Sequence, residues 1–275
     1  MSPARRLGQH FLTDRNLLRR IVDALEPAPG DVVLEIGPGK GSLTAELVAR
    51  GVRVVAIEKD ERLAAALAGA SVGGAPPDSF RVVTGDALAL DWHALVAEGM
   101  VTSPAARVPP FKVIGNIPYA ITTPLIATAL VPPLPTRIVL LVQHEVADRL
   151  AAAPGSKIYG ALSVGVQAVC RVEKLFTVRA GAFSPPPTVQ SAVVRLTPRA
   201  APLIQSAELA PFRVFVTACF SRRRKQLRNV LVAATQQPSE RVVEGIRALG
   251  LDPTARPETL APETFVRLLR WSARL

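Results

Sequence analysis

Residues 31–51 read DVVLEIGPGKGSLTAELVARG. An apolar run from Val32 stops at Gly37, glycines recur at Gly39 and Gly41, and the stretch from Ser42 then carries apolar residues at helical spacing until Gly51. This is a buried strand, a tight glycine turn and a helix closed by glycine. Glycines at such a turn let backbone amides come close to a ligand, and the helix start adds the positive end of a dipole. The spacing is G-x-G-x-G. A dinucleotide fingerprint, G-x-G-x-x-G, needs glycine where this chain has Ser42. The turn therefore points to a nucleoside ligand and not specifically to a pyrophosphate, and it argues against a nicotinamide dehydrogenase.

The same alternation continues on both sides. VRVVAIEKD, FRVVTGDAL, FKVIGN and RIVLLVQ read as further strands, with ERLAAALAGA and HEVADRLAAA as helices and a proline-rich loop over 103–110. Before the first strand, Leu12 to Leu25 reads as a helix capped by Thr13 or Asp14. Continuous apolar strands alternating with helices predict an α/β fold: a parallel sheet covered on both faces. VCRVEKLFTV and SAVVRLTP read as two later strands joined by a loop containing FSPPPTV. After Pro198 only helical patterns follow, so a domain boundary is placed near Arg199–Leu203, giving a body of 1–200 and a small all-helical domain of 201–275.

The strand ends carry the chemistry. Glu58 closes the second strand, and a carboxylate there can accept both hydroxyls of a ribose. Asp86 follows the third and can accept from an adenine amino group. Either acid alone is ordinarily a helix cap or a solvated strand end; in succession with the glycine turn they outline a nucleoside cleft. The fourth strand delivers Asn116, Ile117, Pro118 and Tyr119 to the same edge. An adenine amino nitrogen is a poor nucleophile because its lone pair is delocalised into the ring. Two acceptors holding its hydrogens favour a pyramidal nitrogen: the Asn116 side-chain oxygen, and a carbonyl such as that of Ile117 whose direction Pro118 fixes. Tyr119 can stack on the base. An isolated N-x-P-Y is usually just a strand ending in a turn; its place after the glycines and both acids gives it weight.

Composition narrows the classes. The chain has 275 residues, 49% of them hydrophobic, enough for a sizeable core. It has no long uninterrupted apolar stretch and no apolar signal core at its start, so a cytoplasmic protein without a membrane span is expected. Cys170 and Cys219 lie in apolar surroundings and read as reduced, buried thiols. The three histidines are scattered and no metal-ligand spacing occurs, so no metal is expected. The net charge of +11 is segregated: +4 in 1–20, zero in 21–198 and +7 in 199–275. Arg222, Arg223, Arg224, Lys225 and Arg228 are placed within two helical turns. A charge run is usually a solvated helix face, but this one lacks neighbouring acids and can track phosphates. Arg5, Arg6, Arg19 and Arg20 extend the basic character at the other end.

The segments GQHFLTD, LEIGPGKGSLT, VVAIEKD, TGDAL, VIGNIPYAITTPLI, VQHEVADRL, YGALSV, FSPPPTVQSAV and CFSRRRKQLRNVL together resemble the ribosomal RNA adenine N6-dimethyltransferase family, and within it the small-subunit type. The resemblance implies a Rossmann-like class I methyltransferase sheet, S-adenosylmethionine as methyl donor, and small-subunit ribosomal RNA as partner, acted on in ribosome biogenesis, with nothing requiring more than a monomer. It implies that His10 and Leu12 close over the cofactor, that Gly37 and Gly39 flank its methionine part, that Glu58 takes its ribose and Asp86 its adenine amino group, and that Asn116 and Pro118 lie at the methyl-transfer centre. It implies that Phe183 stacks on the target base opposite Tyr119. The family often has asparagine where this chain has His10. Two other readings remain: a resistance methyltransferase acting on large-subunit RNA, which shares the cleft motifs, and a non-catalytic RNA-binding factor, which would have eroded them.

Overall fold

A computed structural model describes residues 9–70, 72, 79–98, 108–222 and 225–274. The chain divides into two compact units: one runs to Ala147 and resumes at Glu173–Pro198, and the other comprises Asp148–Val172 and Arg199 onward.

The first unit is built on a seven-stranded sheet. Its strands are β2 (Val32–Ile36), β3 (Arg53–Glu58), β4 (Phe80–Thr84), β5 (Phe111–Asn116), β6 (Arg137–Gln143), β7 (Cys170–Val178, of which this unit holds the part from Glu173) and β9 (Ser191–Pro198), in the spatial order β4-β3-β2-β5-β6-β9-β7. All pairs from β4 to β6 are parallel, and β9 runs antiparallel to β6. The fold class expected from sequence is the one found. β2 feeds outward to β3 and β4, and the chain then returns to lay β5 on the other side of β2. The crevice at the carboxyl ends of β2 and β5 is where such sheets hold ligands.

Helices α1 (Arg15–Ala24), α2 (Ser42–Val48), α3 (Glu61–Ala68), α4 (Trp92–Glu98) and α5 (Thr122–Ala129) connect these strands, and α6 (His144–Ala151) follows β6. In α1 the Asp14 carboxylate caps the first turn, accepting from Asn16 N–H at 2.8 Å and Leu17 N–H at 3.1 Å. Leu18, Ile21, Val22 and Leu25 then pack with Leu47, Val54, Ile114 and Val139 in the core. A Leu→Ala change at such a site costs about 2–5 kcal/mol.

One departure from the sequence reading lies at the start of α1. Leu12 is not helical. It belongs with Phe11 to a two-residue strand, β1 (Phe11–Leu12), which pairs antiparallel with β8 (Phe183–Ser184). Successive strand residues face opposite ways, so Leu12 enters the core and Phe11 turns toward the sheet's carboxyl edge.

The second unit contains α7 (Ala161–Gln167), α8 (Leu209–Ser221), α9 (Leu227–Thr235), α10 (Ser239–Ala248) and α11 (Pro262–Ser272). The break after Pro198 recurs here, but Asp148–Val172 groups with the C-terminal helices instead of the 1–200 body. Backbone bonds explain the grouping: Arg199 N–H donates to Val169 O at 2.9 Å, Leu203 N–H to Ala168 O at 3.0 Å, and Gly155 N–H to Glu258 O at 2.7 Å. The buried Tyr159 hydroxyl donates to Leu260 O at 2.9 Å. The basic cluster expected within two helical turns falls where the helical pattern is broken in two, between α8 and α9. α9 restarts at Leu227 because its first free amides find other carbonyls: Leu227 N–H bonds Ala255 O at 2.7 Å and Arg228 N–H bonds Pro253 O at 3.1 Å. Both cysteines are buried, free, and pushed up to about 12 by burial.

Candidate active site

A cavity of about 230 Å³ opens at the carboxyl ends of β2, β3, β4 and β5. The glycine turn forms one wall. Gly37, Gly39 and Gly41 have φ of 68°, 57° and 79°, the left-handed region that disfavours side chains. At Gly39 space adds to conformation, since a Cβ there would lie 2.8 Å from the Phe11 ring. Glycine at this position lets β1 close down on the turn.

Glu58, at the end of β3, is 3% exposed and lines the cavity. Its Oε2 accepts from Gly39 N–H at 3.0 Å and its Oε1 from Asp60 N–H at 2.9 Å. Each oxygen is thus fixed by one bond and retains a lone pair for a vicinal diol. Asp86, after β4, lines the same cavity. Its Oδ1 accepts from Leu88 N–H at 2.9 Å, and its Oδ2 from Lys59 Nζ at 2.7 Å. The bond from Lys59 holds the Asp86 carboxyl below the usual range, so it is an anion at neutral pH.

Asn116 ends β5, and its side-chain Nδ2 donates to the His10 backbone carbonyl at 2.7 Å. A carbonyl only accepts, so this contact fixes which end of the amide is which. Oδ1 is left as the free acceptor. Pro118 has φ −55° and ψ 128°, and its carbonyl receives Ile121 N–H at 3.1 Å. Tyr119 begins a short 3₁₀ turn, and its hydroxyl bonds Ser191 Oγ at 2.7 Å.

The cavity brings together His10, Gly37, Gly39, Glu58, Asp86, Asn116, Pro118 and Tyr119. Two expected site residues are not in its lining. Leu12 is 5% exposed in the core, and the lining residues of that segment are Gln9, His10 and Phe11. Phe183 is also 5% exposed and packed in the same core cluster. Pairing with β1 turns Phe183, expected to stack on a base opposite Tyr119, inward in this structure, and the ring facing Tyr119 here is that of His10, stacked at 6.0 Å between centroids and 29° between planes. Of the basic cluster, Arg222 and Lys225 lie exposed in the connector between α8 and α9, and Arg228 is exposed in the first turn of α9. They do not share a continuous helix. Arg223, Arg224, Arg5 and Arg6 lie outside the described residues. Arg20 lies over the Phe176 ring at 4.0 Å, and Arg19 is 3.7 Å from Glu46.

The sequence reading passed over Phe11, Lys59 and Glu35. Glu35 lies on β2 two residues before Gly37 and is fully buried. Its Oε2 accepts from Thr44 Oγ1 at 2.7 Å, while Oε1 has no partner. Burial foremost, with the nearby Glu58 charge adding, pushes its carboxyl up to about 7. The available signal was a lone acid inside an otherwise apolar strand. Among the described residues, no group of three or more His, Cys, Asp or Glu side chains could hold a metal ion, and no helix is long and apolar enough to cross a membrane.

The family model described as ribosomal RNA adenine dimethylase matches residues 2–273. The chain belongs to the ribosomal RNA adenine dimethylase family. It is 42% identical over 269 residues to the "Ribosomal RNA small subunit methyltransferase A" of Moorella thermoacetica, covering 98% of this chain and 92% of that protein. The protein of the same description from Xanthomonas campestris pv. campestris (strain B100) is also 42% identical, over 97% of this chain and 95% of its own length. Among solved structures, a dimethyladenosine transferase from Plasmodium falciparum superimposes with a TM-score of 0.80 at 26% identity, covering 94% of this chain and 96% of that one. The 23S rRNA methyltransferase ErmE gives a TM-score of 0.70 at 29% identity, covering 96% of this chain and 99% of that one. As a member of this family the chain is an rRNA adenine dimethyltransferase built on a class I methyltransferase sheet.

Proposed function

We propose that this chain uses S-adenosylmethionine to dimethylate N6 of two adjacent adenosines in the 3′-terminal hairpin loop of small-subunit (16S) ribosomal RNA, as a cytoplasmic monomer acting in ribosome biogenesis. The observation that carries the reading is the oriented Asn116 amide, which leaves Oδ1 as a fixed acceptor in the lining of a cavity that also carries Glu58 and Asp86. The 42% identity to small-subunit enzymes, against 29% to a 23S enzyme, favours the small-subunit target over the large-subunit one. Intact Glu58, Asp86 and Asn116 disfavour a purely non-catalytic factor.

Bound in this cavity, S-adenosylmethionine supplies an electrophilic sulfonium methyl. Glu58 takes two ribose hydroxyls with its spare lone pairs, and the Asp86 anion accepts from an adenine amino group. The target adenosine leaves its stack and enters beside Asn116. Asn116 Oδ1 and the Ile117 carbonyl accept the two amino hydrogens and expose the nitrogen lone pair, while Tyr119, anchored through Ser191, offers its ring face to the base. The N6–methyl bond would form as the sulfonium S–C bond breaks, leaving a neutral thioether, and the positively charged N6 is then acidic enough to release its proton to water, so no strong base is needed and rate comes from positioning. The second methylation requires the pocket to accept one methyl already in place. Arg222, Lys225 and Arg228, together with Arg223 and Arg224, supply phosphate contacts.

The test is incubation with labelled methyl donor and small ribosomal subunits from cells lacking this methylation, with large subunits as a parallel arm, followed by nucleoside analysis. Label in dimethyladenosine from the small subunit alone is expected. Label confined to the large subunit, or none in either, refutes the reading.

A further inference from the structure

We propose that His10 is a positioning residue for Asn116: its imidazole, fastened to the Pro185 carbonyl and laid against Tyr119, holds the His10 carbonyl where it orients the acceptor amide. The inference rests on the methyl-transfer role given to Asn116 above, and it adds a support of the acceptor side to the place His10 has in the cavity lining.

The ladder between β1 and β8 shows why a side chain is needed here. Phe11 pairs with Ser184 and Leu12 with Phe183. Thr13 N–H donates to Ala182 O at 3.0 Å, so the next position in the same register falls at a bonded site of the ladder, although Ala182 N–H itself goes to Arg179 O at 3.1 Å. Antiparallel ladders alternate bonded and non-bonded pairs. Residues 13 and 182 being bonded, 11 and 184 are bonded, and 10 and 185 fall at a non-bonded position. Two consequences follow. The His10 carbonyl is turned away from β8, which frees it to accept from Asn116 Nδ2 at 2.7 Å. And no main-chain bond to β8 fastens residue 10.

The imidazole supplies the missing fastening. Nδ1 lies 2.8 Å from Pro185 O, and because a carbonyl cannot donate, Nδ1 carries the proton. The ring also lies against Tyr119 at 6.0 Å and 29°. His10 therefore ties three segments together: residues 9–12, the loop after Phe183, and the Asn116–Tyr119 corner. A leucine would keep bulk and lose the donor. An asparagine would present an N–H that can reach for the same carbonyl.

The experiment compares H10L and H10N with the unaltered chain. In steady-state assays on undermethylated small subunits, H10L is expected to lower kcat by about 10- to 100-fold, the scale of a misplaced reacting group, with KM for S-adenosylmethionine changed less than about 3-fold. H10N should recover most of kcat, which loss of fold in H10L would not predict. A second readout needs no activity. The Asn116 side-chain amide pair, identified in ¹⁵N-labelled protein by its disappearance in N116A, should move toward free-asparagine positions in H10L and return in H10N. An unmoved amide pair in H10L overturns the proposal, as does a loss of donor affinity that matches the loss of kcat. If the unaltered protein fails to methylate small subunits, the function above is wrong, and the amide resonances still decide the role of His10.

Discussion

At the carboxyl edge of the sheet, polar side chains are held by backbone groups around a cavity; in the helical unit, large aromatic side chains are held by packing on one another. Glu58 sits between two main-chain N–H groups, Asn116 against a main-chain carbonyl, and Asp86 on the amide of Leu88. The second unit instead relies on packing such as Phe220 against Phe265 at 5.5 Å, and Gly245 against the Trp271 indole, where a Cβ would lie 2.2 Å away. A change at the edge should therefore alter chemistry with little loss of fold. Charges on the helical unit should alter affinity alone.

The largest effect tests the edge. Asn116→Ala removes the oriented acceptor and leaves Glu58 and Asp86 untouched. Methyl transfer should fall by roughly 10²–10³-fold, as for loss of one preorganised hydrogen-bonding group. Donor affinity by calorimetry and thermal unfolding should stay close to those of the unaltered chain. Equal losses in affinity and rate would erase the distinction between donor and acceptor sides of the cavity.

Glu35 sharpens the comparison because it breaks the edge's own pattern. It is as buried as Glu58 but accepts one bond, and Oε1 has no partner. Its carboxyl is raised to about 7 from an ordinary 4.5, so the folded state holds a proton that the unfolded state releases earlier. That proton's stabilisation is complete below about pH 4.5 and is lost as pH rises through about 7, a fall of about 3 kcal/mol. Glu35→Gln cannot ionise. Urea unfolding should show its stability relative to the unaltered chain rising between pH 5 and pH 8. A difference that stays constant over that window would show that Glu35 does not take up its proton on folding. The window is free of the Glu208 contribution: bonds from Arg270 foremost hold that carboxyl down at about 2, so its stabilisation is constant above about pH 4.5 and is lost as pH falls from there toward 2.

The contrast also explains what the sequence disclosed. Strand ends are legible because the apolar run, the glycine and the acid lie next to one another in the chain, and the sheet's topology then gathers Gly37, Glu58, Asp86 and Asn116 with no further information. The direction of Phe183 was not legible, because it is set by pairing with β1, about 170 residues earlier, and a two-residue strand leaves no periodicity to read. Leu12, read as the start of the first helix, lies in that short strand and is equally illegible from periodicity. The run SRRRKQ contains neither glycine nor proline, yet the helix stops there, because amides of α9 are met by carbonyls of Pro253 and Ala255. Likewise, the pattern of 148–172 reveals helices and not which neighbours they join.

The smallest effect belongs to the helical unit. Arg222, Lys225 and Arg228 are exposed and lie on a connector and a helix start instead of one helical stripe. If each meets a phosphate of single-stranded RNA, replacing all three with glutamine should reduce the slope of log affinity against log salt by about 2, at roughly 0.7 per phosphate. Donor binding should be unchanged, since none of the three lines the cavity. Filter binding of the 3′-terminal hairpin at several salt concentrations checks this. An unchanged slope would mean that the cations are solvated and that RNA is held by other parts of the chain. A reduced slope with unchanged kcat at saturating RNA would assign phosphate contact to the helical unit and chemistry to the sheet edge, a separation that neither the charge count nor the cleft could establish alone.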